Sequence, residues 1–180
     1  MFLKTQLSWN VLVPAENLDA EGLMLQRAIL TRLLEDFATK KAVKDIGYFI
    51  AVTTLDRIGE GLVSQQSGAL LFPVDFSCIT FKILPGETLQ GVVHKVLKHG
   101  IFLRCGPAEK VYISHHKMAG YEYVPGENPC FVNDKRLKIE FGTLVRVTVI
   151  AERYDEAEKD FRALVSLEGD FLGPVLSATS

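Results

Sequence analysis

Apolar and polar side chains alternate at the start of the chain. The odd positions of residues 3–13 carry residues suited to a buried face, whereas the even positions of residues 4–10 are polar. This period of two predicts a strand with one buried face. Pro14 ends the pattern, because proline cannot donate the backbone hydrogen bond that a continuing strand needs.

Apolar residues then return at helical spacing. Roughly residues 18–40 are predicted to form an amphipathic helix, with Asn17 or Asp19 as its N-cap. The apolar stripe that should cover a sheet consists of Leu23, Leu30, Leu33, Leu34 and Phe37.

Two further strands are predicted over residues 46–55 and 76–84. The glycine-rich and mostly polar segment 58–68 between them favours a hairpin. Strand, helix, strand and strand together predict a small α+β domain over residues 1–84. Pro85, Gly86 and Glu87 mark its boundary, because proline and glycine interrupt regular structure there.

Residues 85–180 show short β segments separated by turns, and five strands of this kind indicate a small barrel. The aliphatic residues of two of them should share the barrel core, which places a second set of side chains outside. The predicted strands are 89–97, 101–105, 110–114, 144–151 and 161–167, and the predicted outer set is Phe102, Arg104, Lys110 and Tyr112.

This outer set has the chemistry of a stacking platform for unpaired bases. Exposed aromatic rings stack on bases, and nearby cations, here Arg104, Lys110 and Lys98, attract phosphate. An alternative stays open at this point: the rings of Phe102 and Tyr112 pack under the segment 117–140 or against another subunit.

Composition narrows the choice of function. The chain has 180 residues, a net charge of -2 and a pI near 6.1, which excludes a strongly basic protein that coats nucleic acid. Charge is nevertheless polarised: residues 85–118 carry five basic residues against two acidic ones, whereas residues 152–170 carry seven acids against three bases. Three widely spaced cysteines favour a reducing compartment. The longest nearly apolar stretch, residues 46–52, is far below the ~20 residues of a membrane span.

The sequence has no motif that indicates a catalytic site or a metal site. The adjacent His115 and His116 point in opposite directions, and no pair of ligands has zinc spacing. Ser114 lacks the glycines of a nucleophile elbow, and the glycines around Glu60 are typical of a hairpin turn. The acidic residues 155–160 are predicted to form a solvated hairpin loop. We therefore expect no enzymatic activity, no metal and no cofactor.

Several runs carry a more specific resemblance. Residues 86–96, 99–103 and 111–114, followed by 141–149 and 163–167, resemble the OB-fold barrel named after ribosomal protein S-one. In many barrels of this type, three aromatic positions contact RNA, and they fall here on His99, Phe102 and Tyr112.

The resemblance extends over the whole chain. The N-terminal strand, the helix, Gly47-Tyr48, Gly59 to Gly61, Phe72-Pro73 and the ending Asp170 to Gly173 are together similar to the seventh-subunit family of RNA polymerase II and to its counterpart in the archaeal polymerase. The resemblance implies a truncated RNP-like tip domain followed by an S-one type OB barrel, in a nuclear, non-catalytic stalk subunit.

The family also implies partners and contact residues. Its members pair with a fourth-subunit-like protein, dock on the polymerase core, including the largest subunit, and lie near the emerging single-stranded RNA. Carried over to this chain, docking falls on Gly59, Glu60, Gly61, Phe72 and Pro73, and no membrane partner is expected.

Two departures from the family pattern are visible. His99 stands where a larger aromatic ring is common, and residues 120–138 match only loosely. These departures indicate a specialised paralogue, of the kind that serves the plant-specific polymerases IV or V in RNA-directed silencing. The alternative from a different class is a free-standing OB-fold RNA-binding protein of translation or RNA decay.

Overall fold

The computed structural model describes residues 1–17, 24–65 and 67–175. The chain divides into two compact units, residues 2–82 and residues 83–180 together with Met1. The fold is mostly β, with one α-helix among the described residues. No helix in these ranges is long and apolar enough to cross a membrane.

The N-terminal unit is an antiparallel sheet covered by one helix. Its strands lie in the order β1-β5-β3-β2, and β4 pairs with β5. The elements are β1 (Phe2–Val13), α1 (Leu25–Thr39), β2 (Ala42–Val43), β3 (Gly47–Ile58), β4 (Leu62–Val63) and β5 (Leu70–Phe81).

The helix prediction was right in its existence and wrong in details. Helix α1 begins after Met24, so Asn17, which lies in a short 3-10 turn, is not its cap. Residues 18–23, which include the predicted Asp19 and Leu23, lie outside the described residues. The stripe is also rotated: Leu34 is exposed, and the missed Ile29 is fully buried. The buried residues Ile29, Leu33 and Phe37 are spaced by four and pack on the sheet residues Val11, Val13, Phe72, Val74, Phe76 and Cys78.

Two predicted strands of this unit have different ends in the structure. Strand β5 begins at Leu70 rather than at Phe76 and ends at Phe81, and β3 continues to Ile58. Pro73 obscured the start of β5, because proline usually interrupts strands. The strand accommodates it, and the Pro73 carbonyl accepts a hydrogen bond of 2.7 Å from the Gly59 amide.

The second unit contains a closed five-stranded barrel. Its strands follow one another as β6-β7-β8-β13-β12, and β12 pairs back onto β6. Only the β8–β13 pair is parallel among these barrel pairings, a strand order consistent with an OB-like fold. The barrel strands are β6 (Thr88–Leu97), β7 (Gly100–Cys105), β8 (Ala108–Ser114), β12 (Leu144–Asp155) and β13 (Asp160–Ser166).

The predicted inner faces of two barrel strands are confirmed. Ile101, Leu103, Val111 and Ile113 are fully buried, whereas the side chains of the predicted outer set, Phe102, Arg104, Lys110 and Tyr112, reach solvent. Smaller elements complete this unit: a three-stranded sheet lies between β8 and β12 along the chain, and β14 pairs with β12. They are β9 (Tyr121–Val124), β10 (Cys130–Asn133), β11 (Lys138–Ile139) and β14 (Gly173–Pro174).

Candidate nucleic-acid interface and docking tip

Two aromatic rings in mutual contact, tilted by 44° to each other, lie on the outer face of the barrel. Phe102 on β7 and Tyr112 on β8 are direct cross-strand partners, and their ring centroids lie 5.0 Å apart. Both residues are half-buried, so part of each ring faces solvent. The Tyr112 hydroxyl donates a hydrogen bond of 2.8 Å to the His99 carbonyl, which fixes the orientation of its ring. We call this pair the aromatic platform.

A glycine makes room for the aromatic platform. A Cβ atom on Gly100 would lie 2.1 Å from the Ile113 carbonyl oxygen and 2.7 Å from the Tyr112 hydroxyl. No real side chain tolerates such distances, so the first residue of β7, directly after the turn from β6, must be glycine. The structure thereby ties the conformation of the turn to the position of Tyr112.

The histidines near the aromatic platform play different parts. His94 extends the aromatic surface, because its ring centroid lies 6.3 Å from that of Phe102. His99 is exposed in the turn between β6 and β7. Its carbonyl accepts hydrogen bonds from the Tyr112 hydroxyl and from the His115 amide. The backbone of His99 therefore supports the aromatic platform directly.

The predicted phosphate-binding cations differ in how far they are already paired. The Lys110 ammonium contacts the Glu158 carboxylate and lies 3.6 Å from Asp160 Oδ2. The hydrogen bond from Lys110 to Glu158 raises the pKa of Lys110 and lowers the pKa of Glu158. Arg104 Nη2 lies 3.2 Å from Glu109 Oε1. Lys98 is exposed and has no carboxylate partner among the described residues.

A cleft of about 450 Å³ adjoins the aromatic platform. Its lining combines the two rings with a group of charged side chains from β8, β13 and the turn that joins β12 to β13. The lining residues are Phe102, Lys110, Tyr112, Glu158, Arg162 and Ala163. Arg162 is the register partner of Lys110 in the parallel β8–β13 pair, which brings the two cations side by side.

The prediction of a solvated acidic hairpin at residues 155–160 was wrong in part. Asp160 is only 1% exposed, and Glu158 lies in the wall of the cleft. Asp155 shapes the turn: its carboxylate accepts hydrogen bonds from the amides of Ala157 and Glu158, which lower the pKa of Asp155. Sequence reasoning missed Glu158 and Arg162, although an OB-like strand order would have indicated that β13 lies beside β8.

The predicted docking residues lie at the hairpin between β3 and β5. Gly59 and Gly61 sit against the side chains of Pro73 and Phe72: a Cβ atom would lie 2.7 Å from Pro73 Cγ and 2.5 Å from Phe72 Cε1, respectively. Glu60 and Pro73 are exposed. Phe72 is only 5% exposed and belongs to the core, so its position does not fit the predicted role as a contact residue.

The same hairpin exposes two aliphatic side chains that sequence reasoning missed. Leu62 and Val63, the two residues of β4, are 65% and 68% exposed. Side chains of this size are more often covered in a folded protein. We call the segment from Gly59 to Val63 the docking tip.

Cys105, on the inner face of the barrel, has an unreactive thiol. Burial raises the pKa of Cys105 to about 12, so its thiol stays protonated at neutral pH.

His115 and His116 have ring centroids 5.9 Å apart, and His115 packs on Phe131. In the parts of the chain that the structure describes, no group of three or more histidine, cysteine, aspartate or glutamate side chains could hold a metal ion.

The chain combines a closed barrel that carries a half-buried aromatic pair with a unit that carries an exposed aliphatic hairpin, and both surfaces are candidate contact sites for other molecules. No family model matches the chain. It is 62% identical over 175 residues to "DNA-directed RNA polymerase V subunit 7" of Arabidopsis thaliana. The aligned region covers 97% of this chain and 98% of the relative. The same plant's "DNA-directed RNA polymerase IV subunit 7" is 54% identical, over 97% of this chain and 99% of the relative.

A more distant relative belongs to a third polymerase. The "DNA-directed RNA polymerase II subunit RPB7" of Glycine max is 32% identical over 154 residues, 80% of this chain and 86% of the relative. The chain therefore belongs to the subunit 7 family of DNA-directed RNA polymerases, and it is a non-catalytic type of subunit.

Proposed function

We propose that the chain is the stalk subunit of a nuclear DNA-directed RNA polymerase. In this role it docks on the polymerase core, including the largest subunit, pairs with a fourth-subunit-like protein and binds the nascent single-stranded RNA. The observation that carries the proposal is the extent of the match to subunit 7 of polymerases V and IV, which runs over 97% of the chain and so includes both units.

The N-terminal unit acts as a truncated RNP-like tip domain in this proposal. Leu62 and Val63 at the docking tip support it, because exposed aliphatic side chains gain most when a partner protein covers them. The flanking Gly59 and Gly61 keep the hairpin narrow enough to enter a cleft. Phe72 acts indirectly, by supporting Gly61 from the core side.

The barrel acts as the RNA-binding module. Phe102 and Tyr112 stack on bases, which contributes about 1–3 kcal/mol per base and is tolerant of sequence. Lys98, Lys110 and Arg104 contact phosphate, and His99 holds the aromatic platform in place. Binding is expected to be weak, because carboxylates already pair with Lys110 and Arg104.

The polymerase served is one of the silencing polymerases IV or V. The identity to subunit 7 of these two enzymes, 62% and 54%, is well above the 32% to the polymerase II subunit of Glycine max, which supports the assignment to RNA-directed silencing.

Affinity purification of the tagged full-length chain from cells of its native organism tests the proposal. We expect mass spectrometry to find the largest subunit and a fourth-subunit-like protein of one silencing polymerase in amounts comparable to the chain. Recovery of the chain as a monomer without polymerase subunits would refute the proposal and favour a free-standing RNA-binding protein.

A further inference from the structure

Two cations beside the aromatic platform share one carboxylate. The Glu158 side chain contacts the Lys110 ammonium, and its Oε2 lies 3.3 Å from Arg162 Nη2. The cleft that the three residues line also contains Phe102 and Tyr112. Stacking surface and paired cations therefore meet in one place, and the carboxylate lies between the cations.

A carboxylate and a phosphodiester can bind such a pair of cations in the same way. Each carries one negative charge and offers two oxygen acceptors, and arginine and lysine bind either group through charge-assisted hydrogen bonds. A base stacked on the aromatic platform brings its own phosphate to the neighbouring cations. Such a phosphate would compete with the Glu158 carboxylate, which contacts both Lys110 and Arg162 in the structure.

We propose that Glu158 is a built-in competitor of RNA: single-stranded RNA enters the cleft by displacing the Glu158 carboxylate from Lys110 and Arg162, which then bind the RNA phosphate. The inference rests on the proposed RNA binding by the barrel. It assigns a phosphate-binding role to Arg162 and a role to Glu158 that lowers RNA affinity.

The other carboxylates that contact Lys110 and Arg162 are less exposed than Glu158, so we expect Glu158 to be the one that leaves. Asp160 is 1% exposed and stays 3.6 Å from Lys110, and Asp155 Oδ2 lies 3.0 Å from Arg162 Nη2. These two acids hold the cations in place when Glu158 moves away. The Glu158 side chain is 44% exposed, and an ion pair in such a position is weak and easily exchanged.

The charge balance of the barrel face has the same consequence. Around the aromatic platform, three cations are paired with four carboxylates of the same chain, so these cations are not free to bind phosphate. They are Arg104, Lys110 and Arg162 against Glu109, Asp155, Glu158 and Asp160. Displacement of the Glu158 carboxylate removes one negative charge from beside Lys110 and Arg162, where the phosphate binds.

The experiment compares Glu158→Gln with Glu156→Gln in the full-length chain. Both substitutions remove one negative charge from the same turn, but only Glu158 contacts Lys110 and Arg162. The readout is fluorescence anisotropy of a labelled single-stranded oligouridine. We expect Glu158→Gln to tighten RNA binding about three- to fivefold and Glu156→Gln to change it by less than about 1.5-fold.

A double-mutant cycle tests the displacement itself. Arg162→Gln should weaken RNA binding more in the Glu158→Gln background than in the wild type, because the wild-type arginine must first release a carboxylate. Thermal unfolding of each variant verifies that the barrel is intact, and Glu158→Ala replaces Glu158→Gln if the latter lowers the melting temperature.

The outcomes separate the inference from the proposed function. If the wild type binds RNA and Glu158→Gln binds it no more tightly than Glu156→Gln, Glu158 is no competitor and the inference is overturned while RNA binding stands. If neither the wild type nor Glu158→Gln binds oligouridine, the proposed RNA binding fails, and the inference fails with it. Tighter binding by Glu158→Gln alone supports the inference.

Discussion

The docking tip and the aromatic platform both reach solvent, but they differ in whether the side chains there already have partners within the chain. The docking tip presents Leu62 and Val63 to water, and these side chains gain only when another surface covers them. The cations beside the aromatic platform are already paired with carboxylates of the same chain. The first surface suits a stable protein contact, whereas the second suits an exchange in which RNA replaces internal partners.

The two surfaces also depend on different parts of the fold. The docking tip rests on the core of the N-terminal sheet through Phe72 and Gly61. The aromatic platform depends on cross-strand register, which places Phe102 opposite Tyr112 and Lys110 beside Arg162. A substitution in one surface should therefore leave the other intact, unless it unfolds the unit that carries it.

The largest effect is expected from Phe72→Asp. A carboxylate in the place of this buried ring should lower the free energy of unfolding of the N-terminal unit by about 3 kcal/mol or more, because the apolar residues around it offer the charge no partner. Trp9, the only tryptophan, packs against Phe37 and Phe76 of this unit, so its fluorescence in urea reports the loss. Phe72→Leu serves as the control, with a cost of less than about 1.5 kcal/mol.

This variant also decides how Phe72 contributes to docking. We expect Phe72→Asp to lose both stability and polymerase assembly. A variant with a wild-type urea midpoint that no longer assembles would show that Phe72 touches the polymerase itself.

The second effect is confined to the docking tip. Leu62→Asp combined with Val63→Asp should lower the recovery of the polymerase core at least about tenfold, because two charges replace the apolar contact. The Trp9 urea midpoint and the affinity for oligouridine should stay at wild-type values. Gln65→Asp adds charge to the same hairpin without removing an aliphatic side chain, and it should assemble nearly normally. Equal losses for both variants would make charge, rather than apolar contact, the determinant.

The third effect belongs to the aromatic platform. Phe102→Ala combined with Tyr112→Ala should weaken oligouridine binding about tenfold or more, because stacking on both rings is lost. Phe171→Ala removes an aromatic ring of the same unit that is 89% exposed, and it should change the affinity little. Anisotropy titrations measure all three proteins. A folded double variant with wild-type affinity would exclude the aromatic platform as the RNA site.

The smallest effect concerns the cations. Lys98→Gln should reduce the salt dependence of RNA binding by about 0.7 in the slope of log K against log salt, as expected for one lost phosphate contact. Arg104→Gln should change the slope less, because Glu109 already neutralises Arg104. Titrations at several salt concentrations provide the slopes, and a larger change for Arg104→Gln would reverse this ranking.

The sequence was informative where burial repeats locally. The period of two along β7 and β8 is enough to separate the buried Ile101 and Leu103 from the half-buried Phe102 on the other face. The same signal was available in β5, where Phe72, Val74, Phe76 and Cys78 are all buried, but Pro73 obscured it.

Contacts between distant strands were beyond that kind of inference. Glu158 is 48 residues away from Lys110 along the chain, and only the parallel pairing of β8 and β13 brings them together. Counting charges along the sequence separated a basic run over residues 85–118 from an acidic run over residues 152–170, whereas the folded chain brings residues of both runs into contact. The exposure of Leu62 and Val63 is likewise a property of the hairpin shape, since a short aliphatic run usually indicates a core strand.

The most direct test measures polymerase-core binding and RNA binding for both surface variants. Full-length wild type, the Leu62→Asp/Val63→Asp variant and the Phe102→Ala/Tyr112→Ala variant are each titrated onto a polymerase core that lacks this subunit and onto oligouridine. We predict that the first variant loses the core and keeps RNA, whereas the second keeps the core and loses RNA. Wild-type core binding by the docking-tip variant, or equal loss of both ligands by either variant, would contradict a chain that docks through one surface and holds RNA with the other.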